Sequence, residues 1–171
     1  PPHSSMPSGV ILMETVWICS AAMARTASTM LALGTPLPAF RLARVNGDKV
    51  NGVQDNSGTF ASTDLEQKPI LLMVLCAHCP FVKHIEPEIT RLEKDFGSRV
   101  QFVGVSSNSL ITHPQDGPAQ LAEQAQRHGW AFPYLLDDQQ VLAKSLQAAC
   151  TPEFYLFSQD SKGSSPTLQY R

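Results

Sequence analysis

Two cysteines three positions apart, Cys76 and Cys79 in the run Cys76-Ala77-His78-Cys79-Pro80, are the residues in this chain best suited to chemistry. A thiol pair at that spacing, set where a strand gives way to a helix, is what reversible dithiol exchange needs. A helix amino end carries unpaired N–H groups and the positive end of the macrodipole. That field favours the thiolate, which is the nucleophile, and thiol pKa values at such positions fall to about 3.5–7.5. Cys76 is therefore expected at the cap, exposed and nucleophilic. Cys79, one turn in and more buried, is expected to resolve the mixed disulfide. His78 lies between them. A partly cationic imidazole there would stabilise the Cys76 thiolate and make the disulfide a better oxidant; the plainer reading is a solvated surface histidine. A closed zinc site would want two further ligands. Cys19 and Cys150 do not form a second such pair, so no metal is expected, and Cys19 is given no role.

The flanking residues supply the strand and the helix. Ile70 to Leu75 is six apolar residues between Pro69 and Cys76, a run that suits a strand buried on both faces. After Pro80 the apolar positions Phe81, Val82, Ile85, Ile89, Leu92 and Phe96 recur at helical spacing. Lys83, Glu86, Glu88, Arg91, Glu93 and Lys94 fill most of the others, which assigns Glu86 to the polar face. Pro80 falls in the first turn, where its missing N–H costs little. Pro87 should kink the helix, and Gly97 should stop it.

Elsewhere the pattern alternates. Phe40–Val45 and Lys49–Val53 flank Asn46-Gly47-Asp48, a hairpin signal. Ser62 to Leu65 could open a short helical turn. Val100–Val105 reads as a second buried strand, Pro118–His128 as a helix stopped by Gly129, Phe132–Leu136 as a short strand and Gln139–Leu146 as a helix. Phe154–Phe157 and Thr167–Arg171 read as strands around a turn at Asp160–Ser165. Strand, helix, strand, helix, strand, helix predicts an α/β fold: a mixed, largely parallel central sheet with helices on both faces, an N-terminal β-hairpin and an antiparallel edge. Trp130 and Phe132 are expected in the core, His113 and His128 on the surface, and Asp137 and Asp138 as caps of the helix that follows them.

Length and composition set the limits. The 171 residues suit one domain, and 43% hydrophobic content suits a proper core. A chain this size buries roughly 70% of its unfolded surface. The net charge of −2 offers no electrostatic case for a nucleic-acid partner. Four cysteines, one close pair and two singles, fit redox chemistry inside a reducing, cytoplasmic compartment better than a disulfide scaffold. Gly9 to Met23 is mostly apolar, and Ala22-Met23-Ala24 loosely resembles a signal-peptidase site. No Lys or Arg precedes it, Glu14 interrupts it, and it is short for a bilayer span, so no membrane association is expected. Residues 1–30 are read as a non-domain extension, with residues 1–22 upstream sequence, and 31–171 as the domain.

Taken together, the strand, the C-x-x-C-P and the helix resemble the thioredoxin superfamily. The longer string Cys79-Pro80-Phe81-Val82-Lys83-His84, with Cys150-Thr151-Pro152-Glu153-Phe154 downstream, resembles its peroxiredoxin-like, AhpC/TSA-related branch over roughly residues 31–171. The resemblance implies a thioredoxin-like fold, and a cis-proline at Pro152 whose loop faces the thiols. There Thr151 and Pro152 would line a groove for an extended substrate, and Cys150 could serve as a third thiol. It also implies a further C-terminal helix, which this chain would lack. Two departures stand out. Thioredoxins bury an acid near the start of the strand before the motif, where this chain has Ile70; Lys83 or His84 would have to assist instead. Peroxiredoxins place a threonine where this chain has Cys76, and no partner arginine is evident.

The activity expected is a thiol–disulfide oxidoreductase with no cofactor. It would act on protein or small-molecule disulfides and draw electrons from a reductase or a low-molecular-weight thiol. The alternatives are a peroxiredoxin-like thiol peroxidase, an antioxidant, and a non-catalytic module whose thiolates hold a soft ion such as copper(I).

Overall fold

Five consecutive apolar residues, Ile70–Val74, form the central strand β5, and their alternating side chains enter two different cores. The computed structural model describes residues 30–47, 49–50, 53–54, 58–159 and 165–171. The N-terminal extension with Cys19 and most of the turn expected at Asp160–Ser165 lie outside these. The strands are β1 (Arg41–Arg44), β2 (Lys49–Val50), β3 (Val53–Gln54), β4 (Thr59–Ala61), β5, β6 (Gln101–Ser106), β7 (Tyr134–Leu136), β8 (Glu153–Ser158) and β9 (Thr167–Tyr170). The helices are α1 (Pro80–Phe96), α2 (Pro118–His128) and α3 (Val141–Ser145), with short 3₁₀ turns at Ser62–Asp64 and Pro114–Asp116.

Seven strands form one sheet in the order β4-β1-β7-β6-β5-β8-β9. Only the neighbouring pairs β5–β6 and β6–β7 are parallel; β1–β4, β1–β7, β5–β8 and β8–β9 are antiparallel. The sheet is mixed, as expected, though more of its pairings are antiparallel than the strand–helix alternation suggested. The expected pairing of 40–45 with 49–53 is not the one observed. β1 pairs with β4 and β7, and β2 pairs with β3, so the N-terminal hairpin is wider than the Asn-Gly signal suggested. Leu42 thereby faces Phe60 across the pair, a contact of the kind that sets register.

One face of the sheet buries Ile70, Leu72, Val74, Val103, Val105, Tyr155 and Phe157 beneath Leu142 and Leu146 of the α3 segment. The other packs Met73, Leu75, Phe102 and Tyr134 against Val82 and Ile89 of α1 and Leu121 and Ala125 of α2. Gly104 sits where β6 passes under aromatic rings: a Cβ there would lie 2.9 Å from the Tyr134 ring. α1 runs through Pro87 to Phe96. α2 ends where Gly129 adopts a left-handed φ of 67°, its N–H turned back on the last carbonyls. Asp137 caps α3 as expected, accepting from the N–H groups of Val141 and Ala143. Asp138 stays exposed. Trp130 and Phe132 are buried as expected.

Candidate active site

The residue that caps α1 is Cys79, with Pro80 as the first helical residue. Cys76 lies three residues earlier, just past the end of β5, and is fully buried, whereas Cys79 is half-buried. The expectation of an exposed Cys76 at the cap is thus reversed. The cause is local. The strand run carries Leu75 and Cys76 into the core, Leu75 bonding to Val105, and Pro80 starts the helix one residue beyond the second thiol. Burial pushes the Cys76 thiol above its ordinary value. The Thr151 hydroxyl and the Cys79 N–H pull it down by less, and the charges of Asp116 and Cys79 push it further up.

Thr151 brings the two sulfurs together. Its Oγ1 lies 3.3 Å from Cys76 Sγ, and its carbonyl accepts from Cys79 Sγ at 3.4 Å. The Thr151–Pro152 peptide is cis, as the resemblance implied. The loop that carries Thr151 hangs on Glu153, the buried first residue of β8. This carboxylate accepts from the backbone N–H groups of Ala149 and Cys150 (3.0 and 3.1 Å), from the Tyr155 hydroxyl and from Cys150 Sγ. Burial works to raise the Glu153 carboxyl, but these donors outweigh it and hold it below its usual range. Cys150 is exposed, and its sulfur is turned toward Glu153, 3.4 Å from the carboxylate.

His78 is not a freely solvated histidine. Its Nδ1 lies 2.6 Å from Asp116 Oδ2, and its ring stacks on His113 at 4.8 Å. Asp116 is fully buried on the 3₁₀ turn before α2, and its other oxygen accepts the backbone N–H groups of Ala77 and His78. Asn108 Nδ2 donates to Oδ2 at 2.7 Å. Cys76, His78 and Asp116 each present a donor atom within 4.8 Å of the others. Four donors already occupy the carboxylate, so the trio is a hydrogen-bonded set, and a cation would have to displace one of them.

A second polar network lies beneath. Gln124 of α2 donates to the Cys76 carbonyl (3.2 Å) and to Glu86 (2.7 Å), and accepts from the Tyr134 hydroxyl (3.0 Å). Glu86 also lies 2.8 Å from His128 Nε2, and the His128 ring stacks on Trp130. Glu86 is therefore interior rather than on the polar face, and His113 and His128 are partnered rather than free surface residues. Lys83 and His84 lie on the exposed face of α1. Asp116, Gln124, Tyr134 and Glu153 escaped the sequence reading. For Glu86 the spacing Val82, Glu86, Ile89 was the available signal, and for Gln124 the spacing Leu121, Gln124, Ala125. In each a polar residue interrupts an inward-facing row.

The AhpC/TSA family profile matches residues 33–163, which spans the hairpin, both thiols and the Thr151–Pro152 loop. The chain belongs to the AhpC/TSA family. No curated protein matches it with significance. Among solved structures, it is similar to an uncharacterized conserved protein from Geobacillus kaustophilus. The identity is 36% and the TM-score 0.69, over 78% of this chain and 67% of that one. It is also similar to a hypothetical protein from Sinorhizobium meliloti, with 26% identity and a TM-score of 0.73 over 85% and 73%. A secreted Mycobacterium tuberculosis disulfide oxidoreductase, described as homologous to Escherichia coli DsbE, shares the fold at 17% identity. Its TM-score is 0.58, over 77% and 83%. This AhpC/TSA-family chain thus has a thioredoxin-like fold, as the resemblance implied. Among the described residues, no helix is long and apolar enough to cross a membrane.

Proposed function

We propose that this AhpC/TSA-family protein is a thiol–disulfide oxidoreductase whose working couple is Cys76–Cys79. The observation that carries the reading is the contact of both sulfurs with one residue, Thr151, at 3.3 and 3.4 Å. In this scheme the roles first expected of the two cysteines exchange. Cys79 stands at the helix amino end and is the more accessible, so its thiolate attacks the substrate disulfide and expels one substrate thiolate. Cys76 then gives up its proton and attacks the Cys79 sulfur; the mixed disulfide breaks, the second substrate thiol leaves, and a Cys76–Cys79 disulfide remains. The substrate gains two electrons and the protein loses two. A reductase or small thiol restores the pair, and the exchange itself needs no cofactor. The loop at Thr151 and Pro152 forms the wall against which a protein or small-molecule disulfide docks. Free thiols that cycle in this way suit a reducing compartment, so the cytoplasmic assignment is part of the proposal.

The peroxidase alternative draws on the position of Cys79 at the cap of α1. Against it, Cys76 occupies the place of the threonine found in peroxiredoxins. Reduction of insulin disulfides by dithiothreitol separates the two. The protein should accelerate it, and Cys79→Ser or Cys76→Ser should return it to the uncatalysed rate. Fast peroxide consumption with no insulin reduction would overturn the assignment.

A further inference from the structure

The buried thiol poses a problem that the dithiol scheme leaves open. Cys76 must lose a proton before it can attack, yet it is fully buried, and among the described residues the Thr151 hydroxyl is the only side-chain group hydrogen-bonded to its sulfur. We propose that His78, held in place by Asp116, takes the proton from Cys76 in the resolving step, with His78 the base and Asp116 the positioning residue. The inference rests on the disulfide-exchange reading and assigns its proton acceptor.

Three observations carry it. The His78 imidazole stands against Asp116 and reaches within 4.8 Å of the Cys76 sulfur, close enough for a proton to pass between them through one bridging water. The Nδ1–Asp116 distance of 2.6 Å makes Nδ1 the protonated nitrogen, because the carboxylate can only accept. The other ring nitrogen then keeps its lone pair for a proton. Finally, the anchor is rigid. Asp116 is fully buried and takes four donors from two segments, namely the N–H groups of Ala77 and His78, the His78 ring and Asn108.

Electrostatics favours the transfer. With Cys76 neutral, His78 neutral and Asp116 ionised, the trio carries one negative charge. After the S–H bond breaks and the N–H bond forms, it still carries one, now spread over thiolate, imidazolium and carboxylate. No net charge enters the buried site, which is the costly event in a low-dielectric interior. Without the imidazole, the Cys76 thiolate would form next to the Asp116 charge. The other titratable groups around the pair are Cys79 at the α1 cap, His113 stacked on His78, Tyr134 from β7, and Glu86 from α1 with its partner His128. The Tyr134 hydroxyl donates to Gln124, and Glu86 is held by Gln124 and His128. His113 touches the histidine ring and not the carboxylate, so it can tune the step without supplying its anchor.

The test uses 5,5′-dithiobis(2-nitrobenzoate) on the full chain with Cys19→Ser and Cys150→Ser, followed by stopped-flow absorbance. Attack by Cys79 releases one thionitrobenzoate, and attack by Cys76 on the mixed disulfide releases the second. The first phase tests the parent reading; the second tests this one. His78→Gln should slow the second phase about tenfold or more near pH 7 and move its midpoint to higher pH. Asp116→Asn should also slow it, because the amide favours the wrong imidazole tautomer. In the His78→Gln background the sign should invert, since removing Asp116 then only relieves like-charge repulsion and speeds the thiolate. A second phase that Asp116→Asn accelerates with His78 present would overturn the proposal, as would one that His78→Gln leaves unchanged. If the Asp116 variant does not fold, the pH profile of His78→Gln decides alone. Absence of a second phase in the parent protein would refute the dithiol couple itself.

Discussion

Two buried carboxylates flank the thiol pair, and each is connected to a different kind of proton. Asp116 meets the His78 imidazole at 2.6 Å, a ring with one nitrogen to donate and one to accept. Glu153 meets the Tyr155 phenol, the Cys150 thiol and two backbone amides. Burial and the Glu153 carboxylate push the phenol and that thiol above their ordinary values, so both stay protonated at neutral pH. One carboxylate therefore stands beside a movable proton and the other beside fixed ones. The comparison separates proposed chemistry from scaffolding within a single site: under the proposed mechanism the Asp116 side prepares Cys76, and the Glu153 side holds the loop that presents Thr151 to both sulfurs.

The comparison breaks most readily at Glu153. Glu153→Ala strands the N–H groups of Ala149 and Cys150 and the Tyr155 hydroxyl in a buried setting, and should cost about 3 kcal/mol of stability in urea unfolding. A loss below about 1 kcal/mol would mean that the loop does not depend on this residue. A smaller effect sharpens the contrast. The folded-state pKa of Glu153 lies below its ordinary value of 4.5. The stability it supplies is fully present above the unfolded value and is lost as pH falls through the folded one. Glu153→Gln should therefore flatten the acid limb of a melting-temperature profile below about pH 4.5, with a smaller loss near neutrality than alanine causes. An acid limb identical to that of the parent would contradict the assignment.

Much of this architecture was legible in the residues. The apolar run at Ile70–Val74, the helical stripe after Pro80 and the Pro118–Gly129 helix all follow local rules, and local rules survive folding. The thiol pair was legible for the same reason, whereas its partner loop at Thr151–Pro152 was legible only through the family resemblance. What remained hidden depended on long-range placement. Asp116 lies 38 positions beyond the histidine it holds, and nothing in Pro114-Gln115-Asp116 marks it as interior. Glu86 and Gln124 were masked by the assumption that polar residues on amphipathic helices face water. They find each other across two helices, and only their mutual hydrogen bond makes burial tolerable. The exposure order of the two cysteines was misread because the start of the helix was placed by the first thiol. Pro80, the residue that best starts a helix, follows the second.

The most direct test of the central claim is an equilibrium titration of the Cys76–Cys79 couple in dithiothreitol redox buffers. The state of each cysteine would be read by alkylation and peptide mapping. The account predicts a single two-electron transition in which Cys76 and Cys79 lose reactivity together, at one potential, with a Cys76–Cys79 linked peptide appearing in step. If both residues remained alkylatable as thiols under the most oxidising buffer, or lost reactivity at separate potentials with no linked peptide, the dithiol account would be contradicted.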